Sequence, residues 1–146
     1  MKVDVLTEIV LDVPIKRVAE YVGNPDNAPE WYVNIKSIEW KSERPLQLGS
    51  LLVFKARFLG KELAYTYEVT ELKENEQMVM QTANGPFPMQ TTYSWQSLRP
   101  DKTKMTLRNA GNPKGFSRLF APMMASSMQK ANRKDLAKLK SILEEE

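Results

Sequence analysis

The sequence predicts an α+β domain: a seven-stranded curved antiparallel sheet wrapped around a long C-terminal helix, with two short helices between strands 1 and 2. Three observations predict it. Apolar residues alternate with polar ones through most of the chain from Asn34 to Asn109, the period of a half-buried strand. Short turn-forming segments separate these stretches, which favours antiparallel hairpins over crossover units. The final third then changes to a helical period.

The elements follow in order. Val5, Thr7, Ile9 and Leu11 share one face of a first strand. Pro14 suits the first turn of a helix, where its missing N–H costs nothing. Ile15, Val18, Ala19 and Val22 then form one helical stripe, which Gly23, Asn24 and Pro25 terminate. Residues Asp26 to Tyr32 make a second short helix with Asp26 as its N-cap. Six strands come next, among them the alternations Leu52-Phe54-Ala56-Phe58, Leu63-Tyr65-Tyr67-Val69 and Phe87-Met89-Thr91-Tyr93-Trp95. From Phe116 to Leu143 the apolar spacing is helical, and Pro122 is expected to kink or split that element. No repeat or linker divides the chain, so residues 1–146 read as one domain.

A sheet with one apolar face must bury it, and only the last helix is long enough to cover seven strands. A twisted sheet of that size curls around such a helix. An interior pocket follows, because a curled sheet and one helix do not fill all the space between them.

Composition narrows the chemistry. The chain contains no cysteine and no histidine. Disulfides, thiolate metal sites, the usual zinc sites and Ser-His-Asp or Cys-His mechanisms are therefore excluded. Any catalysis must use carboxylates, tyrosine, lysine or arginine. The net charge is +3, but the basic residues are interleaved with Glu and Asp, as a mixed solvated surface is, so no nucleic-acid partner is expected. Lys130, Arg133, Lys134, Lys138 and Lys140, offset by Asp135 and the last glutamates, read as the wet face of the final helix. No apolar run reaches the length of a membrane span, and the N-terminus alternates rather than carrying a signal-peptide core, so a cytoplasmic location is expected.

The stretches IVLDVPIKRVAEYVGNPDNAPEW, LGSLLVFKARFLGKELAYTYEVTEL, GPFPMQTTYSW and GFSRLFAPMM…LAKLKSIL resemble the START-like (SRPBCC) superfamily, and within it the polyketide cyclase/dehydrase-like group. The resemblance covers essentially the whole chain and implies a helix-grip fold with a hydrophobic cavity. Relatives bind lipids, sterols, polyketides, plant hormones or quinones, and a minority are cyclases or dehydratases.

Inward strand parity nominates Phe54, Phe58, Tyr65, Tyr67, Phe87, Met89, Tyr93, Trp95 and Met105 as cavity residues. The final helix nominates Phe120, Met123, Met124 and Met128. The family resemblance places the entrance near the second short helix, which adds Trp31 and Tyr32. Each of these side chains is also an ordinary core residue type. Inward tyrosine hydroxyls need partners, which a ligand oxygen, Thr91 or Asn109 can supply. Arg57, Glu62, Glu68 and Arg108 fall on the outward parity, and no pair of carboxylates points inward; Glu30 is the nearest acid to the entrance. The sequence thus shows no catalytic constellation, no metal site and no cofactor motif. It reads as a protein that reversibly binds a small hydrophobic molecule such as a lipid, polyketide or quinone. A cyclase/dehydratase-type enzyme and a regulator of a partner protein are the alternatives, and the oligomeric state stays open.

Overall fold

The structure is a computed structural model that describes residues 3–58, 60–84, 88–112 and 121–145. Its elements are β1 (Val3–Leu11), α1 (Ile15–Val22), a 3-10 turn (Pro25–Asn27), α2 (Ala28–Trp31), β2 (Ile35–Trp40), β3 (Leu51–Phe58), β4 (Lys61–Lys73), β5 (Gln77–Asn84), β6 (Met89–Arg99), β7 (Lys102–Gly111) and α3 (Ala121–Glu144). The strands form one seven-stranded sheet in the order β1-β7-β6-β5-β4-β3-β2. Every neighbouring pair is antiparallel.

The topology explains the two short helices. Strands β2 to β7 form a meander, and β1 returns to pair with β7. Strands β1 and β2 are therefore neighbours in sequence but lie at opposite edges of the sheet. The chain between them crosses the sheet through α1, the 3-10 turn and α2. Helix α1 buries Val18, Ala19 and Val22, the stripe its sequence shows. The buried Thr103 hydroxyl donates to the carbonyl of Val13 at 2.7 Å, tying the start of this crossing to β7.

One local expectation is corrected. Asp26 is not a helix cap: Asn24 caps the 3-10 turn by accepting the Asp26 N–H at 3.1 Å. The Asp26 carboxylate instead accepts the Trp40 indole N–H at 2.8 Å and pairs with Arg44, whose guanidinium lies 4.6 Å over the Trp40 ring. Helix α3 runs unbroken from Ala121 to Glu144, and the stretch before it, on which the expected break at Pro122 depends, lies outside the described residues.

The core lies between the sheet and the helices. Val3, Val5 and Leu11 of β1, Met105 and Leu107 of β7, and Leu136, Leu139 and Leu143 of α3 are buried in it. Gly111 is held by close approach: a Cβ there would overlap the Met89 side chain and stand 2.7 Å from the carbonyl oxygen of Pro88.

Leu139, with no exposed surface, is expected to lose about 2–5 kcal/mol of stability on replacement by alanine. Gly111→Ala is expected to cost about 1–3 kcal/mol by overpacking. Urea unfolding midpoints measure both.

Candidate ligand-binding cavity

A cavity of about 150 Å³ lies between the sheet and α3. The sheet contributes Phe54, Ala56, Leu63, Tyr65, Tyr67, Met80, Met89, Thr91, Tyr93 and Asn109. The junction of α2 and β2 contributes Tyr32, Asn34 and Ile35, and α3 contributes Met128, Ala131, Asn132 and Asp135.

Strand alternation sets the wall. Met89, Thr91 and Tyr93 share the inward face of β6, and Tyr65 and Tyr67 share that of β4. Phe54 meets Tyr67 edge to face, with centroids 5.5 Å apart and planes at 83°. Tyr65 lies 5.9 Å from Tyr67. Such tilted contacts fix ring positions without stacking the rings shut.

Polar groups interrupt this wall. The Tyr32 and Tyr93 hydroxyls are hydrogen-bonded at 2.6 Å. Thr91 donates to Asn109 Oδ1 at 2.9 Å. Asp135 Oδ1 accepts the Val33 N–H at 2.8 Å. Asn132 is buried, and its Nδ2 has no hydrogen-bond partner among the described residues.

Burial dominates the electrostatics. It pushes the Asp135 carboxyl up to about 6, against the Val33 hydrogen bond and the Lys138 charge, which favour ionisation. Burial also raises the Tyr32 and Tyr93 hydroxyls well above their ordinary value. Tyr65 is pushed up to about 12 by burial and by Tyr67. These tyrosines are neutral hydrogen-bonding groups at physiological pH, and Asp135 is the group that titrates near it.

The expected site residues divide into three groups. Tyr32, Phe54, Tyr65, Tyr67, Met89, Tyr93 and Met128 are brought together around the cavity. Trp31, Trp95, Met105, Met123 and Met124 are not. Trp31 is buried behind the wall, 4.0 Å from Tyr32 and 5.8 Å from Tyr93 between ring centroids. Trp95 lines a separate groove with Trp40, Met78 and Leu46. Met105 and Met124 are core residues, and Met123 is exposed because it lies one position off the buried stripe of α3. The nominations of Phe87, Phe120 and the Phe58 side chain fall outside the described residues.

Glu30 is exposed and accepts the Tyr21 hydroxyl at 2.5 Å, away from the cavity. The inward acid is Asp135, which charge patterning assigned to the wet face of the helix. Its neighbours Lys134 and Lys138 are indeed exposed, but Asp135 is 3% exposed. A signal for it was present: Met128, Ala131, Asn132 and Asp135 stand at zero, three, four and seven along one helical stripe. Asn34, Ile35, Ala56, Leu63 and Met80 were also missed.

Residues 2–144 match the family described as polyketide cyclase / dehydrase and lipid transport. The chain belongs to that family. As a polyketide cyclase/dehydrase-like protein it has the START-like helix-grip fold, and solved structures agree. A START superfamily protein from Mycobacterium smegmatis superposes with a TM-score of 0.84 at 16% identity, covering 97% of both chains. The Zhui aromatase/cyclase from Streptomyces sp. R1128 gives 0.84 at 12% identity, covering 99% of this chain and 94% of its own. A ginseng major latex-like protein from Panax ginseng gives 0.78 at 10% identity, covering 97% of both. At these identities the likeness is one of fold. A comparison with curated proteins gave no significant match. The family binds small hydrophobic ligands, and among the described residues no helix is long and apolar enough to cross a membrane.

Asp135 carries a pH signature. Its folded-state pKa lies above the ordinary carboxylate value, so folding favours the protonated form. The associated stabilisation is complete below about pH 4 and lost as the pH rises through about 6. Asp135→Asn keeps an acceptor for Val33 and removes the charge. It is expected to be about 1–3 kcal/mol more stable than the parent at pH 8, with the gap closing by pH 4. Denaturant titrations at the two pH values measure this.

Proposed function

We propose that the chain reversibly binds a small hydrophobic molecule in the cavity between the sheet and α3. The observation that carries this reading is the wall itself: aromatic and methionine side chains line the space, with polar groups at a few fixed points. Burial of apolar ligand surface is the driving force, worth about 25 cal/mol per Å² before ordering costs. The volume of about 150 Å³ suits a single small ring, since apolar cavities of about this size accept benzene. Longer ligands require Met80, Met89 and Met128 to change rotamer, which unbranched thioether side chains do readily.

Native mass spectrometry of the protein purified from its own host tests the reading. A stoichiometric adduct, lost on denaturation and recovered in an organic extract, is the expected result. A clean apo mass, together with no uptake of added small aromatics, would overturn it.

One observation favours a second reading, an enzyme of cyclase or dehydratase type. The Asp135 carboxyl, pushed up to about 6 by burial, lies near the Tyr32–Tyr93 pair, the combination that proton abstraction next to a carbonyl needs. In such a step the carboxylate takes the α-proton, and a tyrosine hydroxyl hydrogen-bonds the resulting enolate oxygen. Deuterium uptake into the methyl group of acetophenone is a direct assay. The enzyme reading expects acceleration by the parent and a loss of about 100-fold or more in Asp135→Asn with binding retained. No acceleration by the parent leaves binding as the function.

A further inference from the structure

Among the described residues, Asp135 is the one charged side chain that lines the cavity; the rest of the lining is aromatic, aliphatic or neutral and polar. When Asp135 is ionised, the space therefore carries a negative charge that nothing on its wall offsets. Asp135 is 3% exposed and forms no ion pair among the described residues. Its Oδ1 accepts the Val33 N–H at 2.8 Å, and its Oδ2 takes no hydrogen bond among the described residues. The unpartnered polar side-chain atoms without accessible surface are Thr7 Oγ1, Trp31 Nε1, Trp95 Nε1 and Asn132 Nδ2. Asp135 Oδ2 is not one of them, so it keeps surface, on a residue that lines the cavity.

The titratable groups around this carboxylate do not neutralise it. Tyr32 from the α2–β2 junction, Tyr67 from β4 and Tyr93 from β6 are kept in the neutral form by burial. Burial pushes Asp135 up to about 6, and the charge of Lys138, which is exposed on the same helix, offsets that only in part. At pH 7.5 the carboxyl is still mostly ionised. A buried charge without a counterion is costly, and a ligand that brings the counterion relieves that cost. An anion is repelled by it, and a neutral group leaves it unpaired. An ammonium donates to Oδ2 and cancels the charge. The wall suits such a ligand elsewhere too: the rings of Tyr32, Phe54, Tyr65, Tyr67 and Tyr93 line a space that takes one ring, and aromatic faces attract cations.

We infer that the cavity takes a small aromatic amine as its ammonium cation, with Asp135 pairing with the charge and the aromatic wall holding the ring. This rests on the reading of the cavity as a ligand site and names the ligand class it takes.

Calorimetric or NMR titration of the whole chain with benzylamine, benzyl alcohol and ethylbenzene tests it, since the three have the same shape and differ in one terminal group. At pH 7.5 benzylamine is expected to bind about tenfold or more tighter than the other two and to displace ethylbenzene in competition. The advantage is expected to fall as the pH drops through about 6, because Asp135 takes up a proton while the amine stays charged. Asp135→Asn is expected to erase the preference at pH 7.5 while keeping ethylbenzene affinity within about threefold. Benzylamine no tighter than benzyl alcohol or ethylbenzene at pH 7.5 would overturn the inference and leave the cavity reading intact. So would a benzylamine preference that survives in Asp135→Asn, or benzylamine binding that does not displace ethylbenzene, since either places the amine at another acid. Binding of none of the three at millimolar concentration would overturn the cavity reading with it. The ligand series and its pH dependence on the parent protein decide the matter even if the variant fails to fold.

Discussion

Helix α3 is seated by its second half. Leu136, Leu139 and Leu143 are buried in the core where α3 packs on β1, and this contact fixes where the rest of the helix runs. Its first half is then carried along the inner face of the sheet, whether or not its side chains fill the space beneath. Met128, Ala131 and Asn132 do not fill it, and a cavity remains. The crossing from β1 to β2 depends on the same seat. Asp135 holds Val33 from α3, and Val33 adjoins Tyr32, so the helix that closes the cavity also positions the residue at its rim.

The stability and the chemistry of the cavity oppose each other. An ionised carboxylate at position 135 is poorly solvated, and one hydrogen bond from Val33 only partly offsets that. A leucine there would fit a simple core better. The unpartnered Asn132 amide, one turn away, has the same character. Two neighbouring polar groups that weaken the fold on one cavity wall are characteristic of binding and catalytic sites.

Most of the architecture was legible in the sequence, because strand and helix periods are direct consequences of burying one face. The boundaries of β1 and α1 follow from alternation and from Gly23. The site was only half legible. Parity finds inward residues such as Tyr65, Tyr67 and Tyr93, but it does not say where along a strand the core ends and the cavity begins. Met105 and Met89 have the same parity and type. Met105 lies against the buried β1–β7 end of the sheet, while Met89 reaches open space. Asp135 was concealed by its surroundings in sequence: four of the five cations grouped with it on α3 are solvent-exposed, so charge type outweighed helical position.

Placing β1 and β2 at opposite ends of the sheet leaves two strand edges that can recruit further strands from other molecules. Each edge is obstructed differently. Strand β2 has only six residues, its pairing slips between Ile35 and Ser37, and exposed Lys36 and Glu39 flank its centre. At the end of β1, Lys140 donates to the Val10 carbonyl at 3.0 Å, and Glu144 accepts the Asp12 N–H at 2.8 Å. The C-terminal turns of α3 thereby occupy backbone groups that an incoming strand would need. The helix that grips the cavity also guards the sheet against templated aggregation, so fraying of its last turns exposes an adhesive edge before it opens the binding site.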